Sequence, residues 1–143
     1  MGTKIRKAGP EDVESVYELI CSLEESYPPR GAFRQIYLDN LGSPGILYLL
    51  CEHQGRTAAF GSLHIQFLLH HCGAAAEIQE LIVQPDLRGN GIGAALFSAL
   101  KEEALRRGCV LLEVCCNRKR ERAHRFYESC GMRRSHFKFT MNL

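Results

Sequence analysis

The sequence has no tryptophan, no internal repeat, no low-complexity tract and no stretch with the composition of a linker. With 143 residues and no seam, one domain spanning 1–143 is expected. No apolar run approaches the roughly 18 residues that a membrane helix needs. The opening MGTKIRKAGPED lacks the apolar centre of a secretory signal. Net charge is nearly absent: 18 Lys and Arg against 16 Asp and Glu leave +2. Such a mild balance argues against nucleic acid as a partner, and the missing apolar run argues against a membrane. Seven cysteines are present, an odd number without any metal-type pair of pairs. Cys115 and Cys116 are adjacent in an expected strand and so point to opposite faces. Reduced thiols and a cytoplasmic location follow.

What is present is an ordinary soluble composition, 45% hydrophobic and 24% charged. The chain turns on one stretch, Glu77 to Phe97, EIQELIVQPDLRGNGIGAALF. Ile78, Leu81, Ile82 and Val83 read as a strand, which Pro85 ends because it has no N–H to give a ladder. Arg88, Gly89, Asn90, Gly91 and Gly93 then form a glycine loop, and Ile92, Leu96, Ala99 and Leu100 return at helical spacing. A glycine loop opening a helix presents backbone N–H groups at the positive end of a dipole, an anion site suited to phosphate.

Around this stretch, residues 4–8 read as a first strand and 10–25 as an amphipathic helix with Val13, Val16, Tyr17, Ile20 and Leu23 on one face. Tyr27-Pro28-Pro29 breaks it. A second helix is expected from Phe33 to Leu41. Ile46–Cys51 and Thr57–His71 read as an antiparallel hairpin, and helix 92–107 is expected to end at Gly108. Cys109–Cys116 reads as a buried strand, 118–129 as a helix, and 132–141 as a last alternating strand. The order β-α-α-β-β-β-α-β-α-β implies an α/β (α+β) fold, a mixed sheet with helices packed on it.

Three ligands suit a glycine loop. A nucleoside triphosphate loop wants Lys and then Ser or Thr after its last glycine, and Ala94 and Ala95 stand there. Gly89, Gly91 and Ala94 do fit a dinucleotide fingerprint, with Glu113 at a workable distance downstream, but only about 30 residues follow for a second half. The third is coenzyme A. Arg88-Gly89-Asn90-Gly91-Ile92-Gly93 resembles the R/Q-x-x-G-x-G/A signature of the GNAT acetyltransferase superfamily. NRKRERAHRFYESCGM at 117–132 resembles that superfamily's later N…A…F-Y…G segment, and the element order matches. AFR at 32–34, LHIQFLLHH at 63–71, EIQEL at 77–81 and SHFKFT at 135–140 resemble more narrowly the aminoalkylphosphonate N-acetyltransferases.

The resemblance implies a GNAT fold, with a sheet of about six to seven strands and helices on both faces. It implies acetyl transfer from acetyl-CoA to the primary amine of a small aminoalkylphosphonate, directly and in a ternary complex. Other acceptors within the superfamily, or a CoA-binding module without turnover, are the rival readings. Backbone N–H groups of Arg88, Gly89, Asn90, Gly91, Gly93 and Ala94 are the expected pyrophosphate cradle. By analogy, Leu81 and Val83 hold the pantetheine arm, the Val83 N–H faces the thioester oxygen, and Asn117 touches the arm. Tyr127 is the expected general acid, because a phenol with pKa near 10 matches a thiol leaving group. Glu77, expected at the start of its strand, is the expected general base. Glu80, expected on the opposite strand face, is the runner-up and a substrate contact. Arg34 and His136 are the expected phosphonate partners.

Arg118, Lys119, Arg120 and Arg122 read as a solvated helix face. The phosphonate enzymes are associated with a divalent metal, whose ligands the sequence leaves unknown. His64, Gln66 and His70 are expected on one strand face and His71 on the other. His64 and His70 then lie about 20 Å apart, too far to share an ion. A homodimer paired along the last strand is a superfamily-level expectation.

Overall fold

The computed structural model describes residues 2–143. Residues up to Glu113 form one compact unit and Val114–Leu143 a second, each described by itself.

The first unit opens with strand β1 (Thr3–Lys7) and a short turn at Pro10–Asp12 that leads into helix α1 (Val13–Glu24). Apolar side chains at helical spacing bury Val13, Val16, Tyr17 and Leu19. Glu25, at φ 54°, turns the chain out of the helix. Helix α2 spans Arg30–Leu41, three residues earlier than its apolar pattern implies. It begins immediately after Pro29, whose carbonyl accepts the Phe33 N–H at 2.9 Å. Pro28-Pro29 thus acts as a start signal as well as a break.

Strands β2 (Ile46–His53), β3 (Arg56–Leu68) and β4 (Gly73–Val83) follow, and β1 to β4 pair antiparallel in chain order. Helix α3 (Ile92–Arg106) then crosses to β5 (Leu111–Val114), giving five strands in the order β1-β2-β3-β4-β5. The Val110 N–H donates to the Ala74 carbonyl at 2.8 Å, so β5 and β4 start at the same end. That is the parallel arrangement a helical crossover produces, and it makes the sheet mixed.

Helices cover both faces of this sheet. The cross-strand row Leu50, Phe60 and Ile82 packs with Val13, Val16, Leu19 and Tyr37 of α1 and α2. The adjacent row contains Gly61, where an added Cβ would lie 2.8 Å from Leu100 and 3.3 Å from Leu96 of α3. Gly61 therefore lets α3 seat directly on the sheet. Arg6 forks onto Asp12 with two contacts of 2.8 Å and reaches Glu52 at 2.5 Å, tying β1 and β2 to the entry of α1. The Arg6 guanidinium holds the Asp12 carboxyl below its ordinary value, aided by the Gly9 N–H and opposed by burial.

Three expected strand assignments change. β5 is the half-buried Leu111–Val114 rather than a buried strand over Cys109–Cys116, so Cys115 and Cys116 lie outside it. β3 ends at Leu68, and His70 and His71 lie together in a turn at Leu69–His71, rings 4.1 Å apart, rather than on opposite faces of a strand. In the second unit, helix α4 (Glu121–Ser129) is present, but residues 132–143 form no strand. Phe137, Phe139 and Met141 alternate there and are all exposed. Alternation supplies a face, but a strand also needs a partner backbone.

Candidate active site

Apart from Arg34 on α2, the expected site residues of the first unit lie on β4 and on the turn that follows it. The β3–β4 register runs Ala59–Val83, Phe60–Ile82, Gly61–Leu81, Ser62–Glu80, then shifts to Leu63–Ile78 and His64–Glu77. Gln79 is the extra residue, a β-bulge on β4. The bulge overturns an expectation drawn from simple alternation. Glu77 and Glu80, three positions apart, are opposite His64 and Ser62, which are two apart on β3. Both carboxylates therefore stand on one face of the sheet, the face that Phe60 and Ile82 present to α1 and α2. Glu77 is also in the middle of β4 rather than at its start.

Glu80 is held by Ser62. The Glu80 N–H donates to Ser62 Oγ at 3.0 Å, and the Ser62 hydroxyl donates back to the Glu80 carboxylate. Tyr48, on the same row as Ser62, accepts a 2.7 Å hydrogen bond from Asn40 of α2. Burial raises the Tyr48 hydroxyl above its ordinary value and the neighbouring Glu80 charge adds to the rise, while the Asn40 bond opposes it. Sequence reasoning missed Ser62, Tyr48 and the bulge. Ser62 did leave a signal, as a polar residue inside the apolar run AAFGSL.

The edge of β4 away from β3 offers backbone groups. The Gln84 N–H donates to the Ala58 carbonyl at 2.8 Å. Bonded and non-bonded pairs alternate along an antiparallel ladder. Ile82 is thus turned toward β3, and the N–H and C=O of Leu81 and Val83 are turned away from it, toward the side on which β5 lies. β5 is four residues long against eleven for β4 and starts at the same end. It therefore runs beside only the first part of β4, and its four residues stop short of Leu81–Val83.

The glycine turn follows. Gly89 and Gly91 hold φ of 84° and 78°, left-handed values that other L-residues resist. Gly91 is the N-cap of α3 and no side chain caps that helix. The Ala95 N–H reaches the Gly91 carbonyl at 3.0 Å, but among the described residues no protein group accepts from the N–H groups of residues 89–94. Asn90 points its side chain back to the Leu87 carbonyl at 3.0 Å, and Arg88 is exposed. The arrangement is a row of outward N–H groups on a 15-residue helix, suited to a polyanion.

Arg34 is exposed on α2 and meets no carboxylate among the described residues. In the second unit, Asn117 accepts the Lys119 N–H on its side chain at 2.9 Å, and its carbonyl lies 2.8 Å from His124 Nε2. Tyr127, on α4, has its hydroxyl pushed up to about 12, first by burial and then by Cys116. It therefore keeps its proton across the usable pH range. His136 is exposed outside any strand, beside the Ser135 hydroxyl at 2.6 Å. Arg118, Lys119, Arg120 and Arg122 are exposed, but α4 starts at Glu121 rather than 118, so of the four only Arg122 lies on the helix. Among the described residues no three His, Cys, Asp or Glu side chains form a group able to hold a metal ion. His64 and Glu77, opposite each other, offer two donors, and no step below runs through a metal. Among the described residues no helix is long and apolar enough to cross a membrane.

The model of the acetyltransferase (GNAT) family matches residues 13–132. The aminoalkylphosphonate N-acetyltransferase of Salmonella typhimurium is 44% identical over 140 residues, covering 98% of this chain and 91% of that protein. The glucosamine 6-phosphate N-acetyltransferase of Trypanosoma brucei brucei is 32% identical over 135 residues, covering 91% and 88%. Among solved structures, a transcriptional regulator from Bacillus halodurans superposes with a TM-score of 0.91 over 99% of both chains at 23% identity, a likeness of fold. The chain belongs to the GNAT acetyltransferase family and is an acetyl-CoA-dependent acyltransferase.

Proposed function

We propose that this acetyltransferase acetylates the primary amine of small aminoalkylphosphonates by direct transfer in a ternary complex. The observation that carries the acceptor class is the 44% identity, over nearly the whole chain, to an enzyme named for that substrate. The site supports the chemistry. The N–H row at 89–94, with the Arg88 backbone beside it, suits a pyrophosphate, and the open edge at Leu81 and Val83 suits an amide-bearing arm that pairs like a strand. Asn117 is proposed as a further contact to that arm.

Acetyl-CoA supplies an activated acyl group as a thioester. Glu77 takes the proton of the attacking amine through a water, since an ammonium has no lone pair. The Val83 N–H donates to the carbonyl oxygen as charge builds there. Tyr127 gives its proton to the departing sulfur; burial keeps it protonated but makes it a weaker acid than an ordinary phenol. Arg34 and His136 are proposed to meet the phosphonate dianion, and Glu80 to hold the amine. No cysteine acyl-enzyme is invoked. We place the enzyme in the cytoplasm, where its thioester cofactor is made.

Thiol release from acetyl-CoA, measured with 2-aminoethylphosphonate and with propylamine, tests the acceptor. A kcat/KM at least about tenfold higher for the phosphonate is expected, because propylamine forfeits hydrogen bonds to a charged group, worth about 1.5–3 kcal/mol each. Equal values would sink the phosphonate reading. Glucosamine 6-phosphate belongs in the same panel because a relative named for it is 32% identical over 91% of this chain. Its preference over the phosphonate would replace the acceptor.

A further inference from the structure

We infer that Ser62 is a positioning residue: it fixes the Glu80 carboxylate so that one oxygen is committed to the protein and the other is left for the acceptor amine. This rests on the proposed placement of Glu80 in the acceptor site. Ser62 is 0% exposed, in the middle of β3. A serine hydroxyl has one proton to give and two lone pairs. Here the proton goes to Glu80 Oε1 and a lone pair takes the Glu80 N–H, so both bonds end on one residue. The hydroxyl is thereby locked, and with it the carboxylate.

The bulge explains why the lock is needed. Gln79 interrupts the β3–β4 register just before Glu80, where the ladder alone would leave the strand free to twist. Ser62 stitches the strand on the C-terminal side of that interruption. Among the described residues no group donates to Glu80 Oε2. Glu80 is half-buried, so that oxygen remains available to an N–H donor. Glu77 shares the face, opposite His64, and has no such clamp among the described residues. The two carboxylates are thus divided between holding and proton transfer.

A double-mutant cycle separates positioning from plain structural support. Steady-state kinetics with 2-aminoethylphosphonate, and separately with propylamine, would be run on Ser62→Ala, Ser62→Cys, Glu80→Gln and the combination of Ser62→Ala with Glu80→Gln. Losing a hydrogen bond to a charged group is expected to raise the amine KM about tenfold in Ser62→Ala, with the acetyl-CoA KM held within about twofold. Ser62→Cys, with a weak donor in nearly the same volume, recovers part of the loss. In the Glu80→Gln background, Ser62→Ala adds less than about twofold. Effects that multiply, an acetyl-CoA KM that rises in step, or an unchanged amine KM would each overturn the assignment. If Ser62→Ala does not fold, the cycle runs with Ser62→Cys: the amine KM then rises by less than about tenfold, the acetyl-CoA KM stays within about twofold, and multiplying effects or an unchanged amine KM overturn the assignment. The wild-type ratio of the two amines reports the phosphonate reading separately, so that reading can fail while the cycle stands.

Discussion

One edge and one face of β4 offer different materials for the proposed chemistry. On the β5 side, the edge at Leu81 and Val83 offers peptide N–H groups, and the glycine turn at 88–94 offers more, fixed by two left-handed glycines and the start of α3. On the face toward α1 and α2, Glu77 and Glu80 offer carboxylates, brought to one side by the bulge at Gln79 and, for Glu80, clamped by Ser62. In the roles proposed above, the first region would bind through backbone, so its side chains would be replaceable wherever φ allows. The second would act through side chains, so a single atom would change the chemistry. Substitutions in the first should therefore move the acetyl-CoA KM, and substitutions in the second should move kcat or the amine KM.

The largest effect should come from Glu77→Gln. Removing a positioned base costs about 10³ in kcat/KM for the amine, with the acetyl-CoA KM within about twofold. The loss should be deepest at low pH, where the amine most needs a base. If Glu77→Gln leaves the pH profile unchanged and Glu80→Gln takes the loss, the division between the two carboxylates is reversed. Next is Tyr127→Phe, which should lower kcat about 100-fold. Because the Tyr127 hydroxyl sits near 12, it stays protonated below that value and ionises only above it. The variant should therefore lower kcat at every pH up to about 10 without altering the shape of the alkaline limb. A limb near pH 8–9 that disappears in the variant would show that Tyr127 titrates there and contradict burial as the dominant influence. Third is Gly91→Val: a left-handed residue costs an L side chain about 1–2 kcal/mol, so the acetyl-CoA KM should rise about tenfold while kcat at saturation holds. A fall in kcat alone would blur the distinction between the two regions.

The same contrast explains what could be read from the residues. The glycine turn was legible because its backbone angles demand a residue type, and type is what a sequence displays. Helices α1 and α3 were legible because Val13, Val16 and Tyr17, and Ile92, Leu96 and Leu100, repeat at the helical period. The carboxylate face was not, because a bulge is a property of two strands in register. Counting by twos along β4 separated Glu77 from Glu80, and one unpaired Gln79 reunited them. The turn at Leu69–His71 was missed for a related reason. It ends at Cys72 with φ 49°, a left-handed residue that is not glycine and so carries no punctuation. Residues 132–141 show the opposite failure, a strand-like alternation in a segment that forms no strand. Arg34 and His136 remain placed by resemblance, on an exposed helix face and an exposed segment.

The smallest expected effect is the sharpest test of how the backbone region works. At Gly89 an added Cβ meets no atom within 4 Å, and φ is 84°. Conformation, rather than crowding by the protein, is then the reason for glycine. Asparagine tolerates the left-handed region better than other side chains because its amide can bond locally. Gly89→Asn should therefore keep the acetyl-CoA KM within about threefold, whereas Gly89→Val, with the same room but a β-branched side chain, should raise it about tenfold. Titration of each variant with CoA alone, followed by calorimetry, measures the difference without turnover. If asparagine is as damaging as valine, the bare Cα matters because the ligand itself approaches it, and the turn selects by shape as well as by backbone angle.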